Sequence, residues 1–538
     1  AFANNVFDPI VFDLVSVPGI KFVTEPSRTD HRHQPETMVS GVALADFDND
    51  GLLDIYAVNG ATMPGLEKSS EIFYNRLYRN LGDWKFEDVT LRAEVQGRGY
   101  TNGVAVADFD NDGDQDLFIA GLRENLLYRN EGNWRFQEIT KGAGLANPDP
   151  QYGTLWSVAA AFFDYDKDGW LDLFVSNYCI WDPKIEPICG PAGHPDYCHP
   201  QHYPGLPNSL YHNNGDGTFK DVSVPSGIRK HIGKGMGIGV EDYDGDGWMD
   251  LFVANDTEPA FLFHNQKNGT FKEIGFEAGV AYTYSGAVVS GMGVDAKDTD
   301  NDGKPDVFEA ALTNETMPFF RNLGNNLFEE LTSSSNLALL TRPKTGWSNG
   351  VFDLNNDGWK DLFVASGDVM DPRGSFRERV PMTNSLYVNL KNGKFADAAA
   401  SAGPDFSTLK GVHRGSAFGD IDNDGRLDLI VTELNGPLRT WRNVSPVNHH
   451  WLLIQTAGKK SNRDGMTAKI KITTASGSQW NIVNTAVGYG CASDKRVHFG
   501  LGKDDVIREL IVAWPSGAVQ KLENVKVDQI LKVEEPGQ

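Results

Sequence analysis

The stretch Asp46-Phe47-Asp48-Asn49-Asp50-Gly51-Leu52-Leu53-Asp54 decides the reading of this chain, because its pattern Asp-x-Asp-x-Asp-Gly-x-x-Asp returns six more times. Five of the later copies keep every acid: Asp108/Asp110/Asp112/Asp116, Asp164/Asp166/Asp168/Asp172, Asp242/Asp244/Asp246/Asp250, Asp298/Asp300/Asp302/Asp306 and Asp420/Asp422/Asp424/Asp428. The remaining copy departs once, with Asn355 in Asp353/Asn355/Asp357/Asp361. Carboxylates at alternate positions, a glycine for the sharp turn and a further acid beyond it make a hard-oxygen cage of the kind that suits Ca²⁺, as in the first half of an EF-hand loop. One copy would be a weak signal. Seven in register predict up to seven Ca²⁺, one per repeat.

The charge balance points the same way. The chain has a formal charge of −24, and 27 of its 73 acidic residues occupy the motif positions of these loops. Two carboxylates about 4 Å apart repel by about 1 kcal/mol in water and about 4 at an effective dielectric of 20. Such loops need a cation, and seven Ca²⁺ would add 14 charges and bring −24 to −10. No basic stripe is available to meet phosphates, so nucleic acid is excluded as a partner.

Each loop lies between two apolar runs, as Gly41-Val42-Ala43-Leu44-Ala45 and Asp54-Ile55-Tyr56-Ala57-Val58 in the first repeat. These read as two strands joined by the acidic loop. The first strand is rich in Gly and Ala, as expected where strands crowd round an axis. A third strand follows (Asn75-Arg76-Leu77-Tyr78-Arg79-Asn80), then a Gly/Asn turn and a Phe-led fourth (Phe86-Glu87-Asp88-Val89-Thr90). Four strands per repeat at a spacing of 55–78 residues predict an all-β fold, a seven-bladed β-propeller. The competing β-solenoid has far shorter repeats.

The last repeat lacks its Phe-led strand after Leu438-Arg439-Thr440-Trp441-Arg442-Asn443. That element stands at the other end of the chain, as Phe12-Asp13-Leu14-Val15-Ser16, so the N-terminal segment is expected to close the ring. Residues 1–446 are therefore assigned to the propeller. Residues 447–538 carry no acidic loop and read as a separate β-sandwich, with strands such as Trp451–Gln455, Ala468–Ile472 and Leu510–Trp514.

On these residues the chain resembles proteins with FG-GAP (VCBS) repeats, as in integrin α-subunit propellers. The tail Lys495-Arg496-Val497-His498-Phe499-Gly500-Leu501-Gly502, with Ile511-Val512-Ala513-Trp514-Pro515-Ser516-Gly517, resembles the ASPIC/UnbV domain. The pairing is similar to the cartilage-acidic-protein-1-like family. That resemblance implies the fold, the Ca²⁺ sites and extracytoplasmic residence. It implies little chemistry, since fold does not deliver function.

No stretch is long and apolar enough to span a membrane. A start at Ala1 rather than Met is consistent with a mature chain whose signal peptide was removed, and weak Ca²⁺ loops fill only at extracellular concentrations, so a secreted or periplasmic protein is expected. Of the four cysteines, Cys189 and Cys198 are expected to form a disulfide. Cys179 and Cys491 are left open between a pair and two thiols.

In this plan all seven acidic loops share one face. The long connections Asn59–Tyr74, Tyr178–Pro207 and Ser366–Thr383 decorate the other. The approaches to the innermost strands reach the same decorated face around the channel. They carry Glu36, Trp156, Met236, Met292 and Trp347 as candidate ligand-binding residues, and Arg98, Tyr100, Lys234, His413 and Arg414 as candidate catalytic ones. The bland alternative is that Trp156 and Trp347 plug the channel and the charges lie in solvent. His194, His199 and His202, beside Cys198, suggest a transition-metal site that His31 and His33 could approach, although the spacing matches no standard zinc pattern and a disulfide would remove Cys198.

Two functions are expected from this. The first is a binding or adhesion module for an extracellular glycan, small molecule, matrix component or protein. The alternative is a Ca²⁺-dependent enzyme at the channel mouth, of the polysaccharide-lyase type or the natural-product alkylating and cyclising type. No catalytic motif decides between them.

Overall fold

Every acidic loop closes an antiparallel hairpin, and every hairpin grows into a four-stranded unit. The computed structural model describes residues 7–146, 148–369, 380–446 and 448–537. In the first repeat the strands are Val42–Ala45, Asp54–Ala57, Arg76–Asn80 and Phe86–Asp88, hydrogen-bonded in that order. Six further repeats build the same antiparallel order, innermost strand to outermost. The innermost strands touch one another in a closed cycle, the strand of the last repeat, His413–Gly419, meeting Val42–Ala45. The fold is all-β and propeller-like, and its four-stranded units are called blades below.

The last blade is completed from the other end of the chain. Phe12–Leu14 pairs antiparallel with Arg439–Asn443, Phe12 opposite Asn443. The Phe12 ring is fully buried and stacks on Phe406, 5.6 Å between centroids. An edge that would otherwise offer open N–H and C=O groups is thereby covered.

Residues beyond 447 form two sheets. One holds Val497–Gly502, His450–Ala457 and Gln529–Glu534, and the other holds Ser478–Ile482, Lys469–Thr473, Val506–Ala513 and Val519–Lys526. This unit packs directly on the ring. Its core residues Leu452, Ile470, Phe499 and Trp514 belong to one cluster with Phe109, Phe118 and Phe162 of the second and third blades. It roofs the acidic-loop face: Asp464 accepts from the Asp108 N–H (2.9 Å), and Arg496 donates to the Asp420 carbonyl (3.0 Å).

From this roof a finger, residues 484–493, enters the central channel. Ala492 lies opposite Ala43, extending the first blade inward. Val104 donates to the Gly490 carbonyl (3.0 Å), and Gly488 and Val294 exchange backbone bonds of 2.8 and 3.2 Å. Glycine is required on both sides. Gly490 has φ +59°, and a Cβ at Gly103 would lie 2.2 Å from the Val158 oxygen and 3.1 Å from the Gly490 Cα. The small residues of the innermost strands thus leave room for another backbone on the axis.

Candidate functional site

The acidic loops share one backbone conformation. The first aspartate accepts two backbone N–H groups, from the fifth and sixth positions: Asp46 from Asp50 (3.1 Å) and Gly51 (2.8 Å), Asp298 from Asp302 (3.1 Å) and Gly303 (2.9 Å), Asp353 from Asp357 (3.0 Å) and Gly358 (2.7 Å). Gly51 has φ +87°, which explains the invariant glycine within the repeat. The ninth-position aspartate is buried beneath the loop. Asp54 accepts from the N–H of Phe47 (3.0 Å) and of Asn80 (2.8 Å), tying loop to third strand.

The third-position aspartate is different. The Oδ1 atoms of Asp48, Asp110, Asp166, Asp300 and Asp422 are shielded from solvent and have no hydrogen-bond partner. A buried anionic oxygen without a donor is costly, and five at one repeat position call for a cation. The donor set fits Ca²⁺: oxygen only, carboxylates at alternate positions, turned inward by the backbone. The residues that could hold it are Asp46, Asp48, Asp50 and Asp54 and their counterparts in the other loops, with Asn355 standing in for one carboxylate. Third-strand cations supply partial compensation, as Arg79 to Asp48 (2.8 Å), Arg321 to Asp300 (2.8 Å) and Arg442 to Asp422 (2.8 Å).

The fifth-position aspartates are each tied to the turn that follows them. Asp112 and Asp168 are exposed, and Asp246 is half-buried. Oδ1 of Asp112 accepts from the Asp114 N–H (2.9 Å), that of Asp168 from Trp170 (2.8 Å) and that of Asp246 from Trp248 (2.8 Å). Asp246 is further engaged through Oδ2 by Lys267 (2.8 Å). Donor atoms within 4.8 Å of one another include Asp108/Asp110/Asp116, Asp166/Asp172/His212 and Asp244/Asp250/His264. Asp50, Asp302, Asp357 and Asp424 make the same turn, to the N–H of Leu52 (2.9 Å), Lys304 (2.9 Å), Trp359 (3.0 Å) and Arg426 (3.1 Å). Asp50 also groups with Asp46 and Asp48.

Sequence reasoning missed a relay between loops. The fourth-position asparagine, in the left-handed region at Asn49 (φ +60°), Asn111 (φ +61°) and Asn423 (φ +57°), donates to the next blade's loop glycine carbonyl. The bonds run Asn49 to Gly113 (3.3 Å), Asn111 to Gly169 (3.1 Å), Asn301 to Gly358 (3.0 Å), Asn356 to Gly425 (3.0 Å) and Asn423 to Gly51 (3.0 Å). Lys167 replaces the asparagine in the third blade and places Nζ over the Trp248 ring of the fourth, 4.7 Å from its centroid. The recurring Asn at this position was the available signal.

Burial, reinforced by neighbouring aspartates, pushes Asp54, Asp108 and Asp353 up to about 8, and Asp164, Asp172, Asp306 and Asp420 up to about 7. Unfolded carboxylates titrate near pH 4. Between about pH 4 and about pH 8 the folded, cation-free protein therefore holds more protons than the unfolded chain, and its stability falls as pH rises through that window. Melting in EGTA across this range is expected to show a midpoint that drops toward pH 8. In excess Ca²⁺ the midpoint is expected to hold or rise, because the cation replaces the protons. Parallel profiles in the two buffers would refute the loop chemistry.

The channel residues do not line an open mouth. Tyr100, Trp156, Met236, Met292, Trp347 and Tyr489 belong to one buried core. Tyr489, at the tip of the finger, meets Trp347 edge-on at 5.2 Å and donates to the Met38 carbonyl (3.3 Å). Arg414 is buried, lies 3.8 Å over the Trp347 ring and donates to the carbonyls of Thr37 (2.8 Å) and Gly367 (3.0 Å). His413 is buried with Nδ1 3.0 Å from the Ser366 carbonyl, and its pKa is pushed down to about 4 by burial. Glu36 is buried and accepts from Thr29 Oγ1 (2.6 Å) and Tyr197 (3.0 Å). Lys234 pairs with Glu258 (3.0 Å), and the half-exposed Arg98 pairs with Glu124 (2.9 Å) and Glu138 (2.8 Å). The tryptophans and the finger resemble the plugged alternative, but Glu36, Lys234, His413 and Arg414 are buried instead of lying in solvent.

Among the decorating connections, Asn59–Tyr74 and Tyr178–Pro207 are described throughout, whereas residues 370–379 of Ser366–Thr383 lie outside the described residues. Cys189 and Cys198 form the expected disulfide, and Cys179 and Cys491 are buried thiols. His194, His199 and His202 are exposed. His31 and His33 do reach the same insertion, but meet Glu186 there.

Six stretches of the chain, residues 46–119, 108–175, 203–253, 242–309, 298–364 and 353–431, match the FG-GAP-like repeat. The chain belongs to the FG-GAP-like repeat family. Five of these FG-GAP stretches begin on the first aspartate of a loop, at Asp46, Asp108, Asp242, Asp298 and Asp353. Residues 458–538 match ASPIC and UnbV, so the roof and its finger are the second family element. This FG-GAP chain is 23% identical to cartilage acidic protein 1 of Mus musculus over 501 residues, 91% of this chain and 72% of that protein. It is also 23% identical to the Homo sapiens protein of the same name, over 91% of this chain and 70% of that protein. Among solved structures, a lectin from Agrocybe aegerita that recognises non-reducing terminal N-acetylglucosamine aligns at a TM-score of 0.41 and 16% identity, over 72% of this chain and 94% of that one. Among the described residues, no helix is long and apolar enough to cross a membrane.

Proposed function

We propose that this chain is an extracytoplasmic, Ca²⁺-bound propeller that works as a binding or adhesion module. Its ligand is a glycan, matrix component or protein held at the face opposite the acidic loops. The observation that carries the reading is the insertion Tyr178–Pro207. It exposes Ile180, Ile185 and Ile188, the last two 79% and 68% accessible, on a segment clipped by the Cys189–Cys198 disulfide. We read these three side chains as one contact surface, since exposed apolar patches are where partners bind. The other face is roofed and the axis is filled, so this face is where a partner has access. The disulfide and the relationship to cartilage acidic protein 1 support an extracytoplasmic setting.

The catalytic alternative has little geometry to use. Tyr100, His413 and Arg414 are enclosed, and Arg98 is engaged by two glutamates. The test is retention of glycans and matrix proteins on immobilised, Ca²⁺-loaded chain, with mass spectrometry of the unretained material. Retention is expected to fall at least about tenfold in an Ile185→Asp/Ile188→Asp double variant, a loss of about 1.4 kcal/mol. Retention unchanged by that variant would remove the insertion from the interface. New masses that depend on Ca²⁺ would establish an enzyme instead.

A further inference from the structure

The same insertion carries a second arrangement, of different chemistry. Glu186 is 1% exposed at its side chain and receives two imidazoles from the segment that leads into the first blade. His33 Nδ1 lies 2.5 Å from Glu186 Oε2, and His31 Nε2 lies 4.0 Å from the same oxygen. The two rings stack with centroids 4.3 Å apart and planes 20° apart. All three donor atoms fall within 4.8 Å of one another. The other carboxylate oxygen, Oε1, is fixed by the Gln34 N–H (2.9 Å) and the Tyr203 hydroxyl (2.8 Å), and Trp181 packs edge-on against His33 at 5.8 Å.

A single shared proton between His33 and Glu186 would explain half of this. It leaves His31 Nε2 shielded from solvent, too far from the carboxylate for a hydrogen bond and without a partner. Two ring nitrogens aimed at one oxygen with one left unsatisfied is what a bound cation resolves. We propose that His31, His33 and Glu186 form a three-ligand site for a divalent transition metal of the Zn²⁺ class. Two imidazoles and one carboxylate are borderline donors that select such ions over Ca²⁺. Tetrahedral ligands at about 2.1 Å stand about 3.4 Å apart, between the 2.5 and 4.0 Å seen here, so shifts of under about 1 Å assemble the site. Burial opposes ionisation of Glu186, but bonds from His33, Gln34 and Tyr203 hold its carboxyl below the usual range. The His31 side chain is 28% exposed, and on that side the fourth position opens to water or an anionic ligand. The bonds to Oε1 orient the carboxylate as outer partners of metal ligands do.

Two acidic loops also face a histidine on the third strand of their blade, His212 beside Asp166 and Asp172 and His264 beside Asp244 and Asp250. The experiment must separate them. Co²⁺ is titrated into the full chain in saturating Ca²⁺, with binding read by equilibrium dialysis and visible absorption. One equivalent is expected, displaced by Zn²⁺. Glu186→Gln, His33→Ala and His31→Asn are each expected to weaken it by about 100-fold or more, since even outer partners cost about 10–100-fold. His199→Ala and the His212→Ala/His264→Ala double variant are expected to keep it. The proposal is overturned if the wild-type chain takes up no stoichiometric Co²⁺ or Zn²⁺, if Glu186→Gln keeps full affinity, or if binding follows His212 and His264. Should Glu186→Gln fail to fold, the partly exposed His31→Asn decides.

Discussion

Chelation of Ca²⁺ is expected to lower the melting midpoint by about 20 °C or more, or to unfold the ring outright. One site filled at about 100 times its Kd contributes about 2.7 kcal/mol, and seven contribute about 19. That exceeds the 5–15 kcal/mol by which folded proteins are usually stable. At about 2 cal/mol/K per residue, the propeller's 446-residue segment loses about 1 °C for each kcal/mol. The sites are also coupled. Asn49, Asn111, Asn301, Asn356 and Asn423 each bind the next loop's backbone, so relaxing one loop releases a donor of its neighbour. A substitution at an orphaned oxygen, Asp48→Ala, is therefore expected to lower Ca²⁺ stoichiometry by one and to weaken the first blade. Calorimetry in Ca²⁺ and in EGTA, with atomic absorption for stoichiometry, reads both. A midpoint that moves by only a few degrees on chelation would mean that the seven loops are held by hydrogen bonds and third-strand arginines alone.

The blades could be read from the sequence because their determinants are local. Asp46, Asp48, Asp50, Gly51 and Asp54 lie within nine residues, and repetition turned a weak motif into a strong one. Closure by Phe12–Leu14 was legible for the same reason, since the missing strand had a template elsewhere in the chain. Spacing alone did not rank the acids within a loop. Only the backbone shows that the fifth acid of every loop, as Asp50, Asp112 and Asp168, also caps the turn that follows it. What sequence could not supply were contacts between distant segments. His33 and Glu186 are 153 residues apart, and no spacing rule connects them. The finger hid in a stretch of small residues, Ala486-Val487-Gly488-Tyr489-Gly490-Cys491-Ala492, whose neighbours are the innermost strands of all seven blades. The glycine-rich inner strands do crowd round the axis, but part of the crowd comes from the C-terminal unit, and this is why Trp156, Trp347 and Arg414 are enclosed.

The finger makes a second large effect measurable. Tyr489 belongs by sequence to the ASPIC and UnbV segment, yet its ring is fully buried among Trp347, Met38 and the other core residues of the ring. Tyr489→Ala is expected to cost about 3–5 kcal/mol, as deletion of a large aromatic from a close-packed core does. The loss should appear in the unfolding of the propeller, through guanidinium midpoints measured in saturating Ca²⁺ by fluorescence of the buried tryptophans. Tyr489→Phe keeps the ring and loses one 3.3 Å hydrogen bond, so about 1 kcal/mol is expected. Gly490→Ala tests the backbone instead. Its Cβ would stand 2.9 Å from the Val158 oxygen and 3.1 Å from the Gly103 Cα, at φ +59° where an L side chain is already strained. If the C-terminal unit were merely appended, all three variants would leave the propeller transition in place and shift only a separate one. A single transition that moves with Tyr489 would show ring and roof to be one cooperative structure. The face opposite the acidic loops would then be presented by a scaffold braced along its axis as well as around its rim.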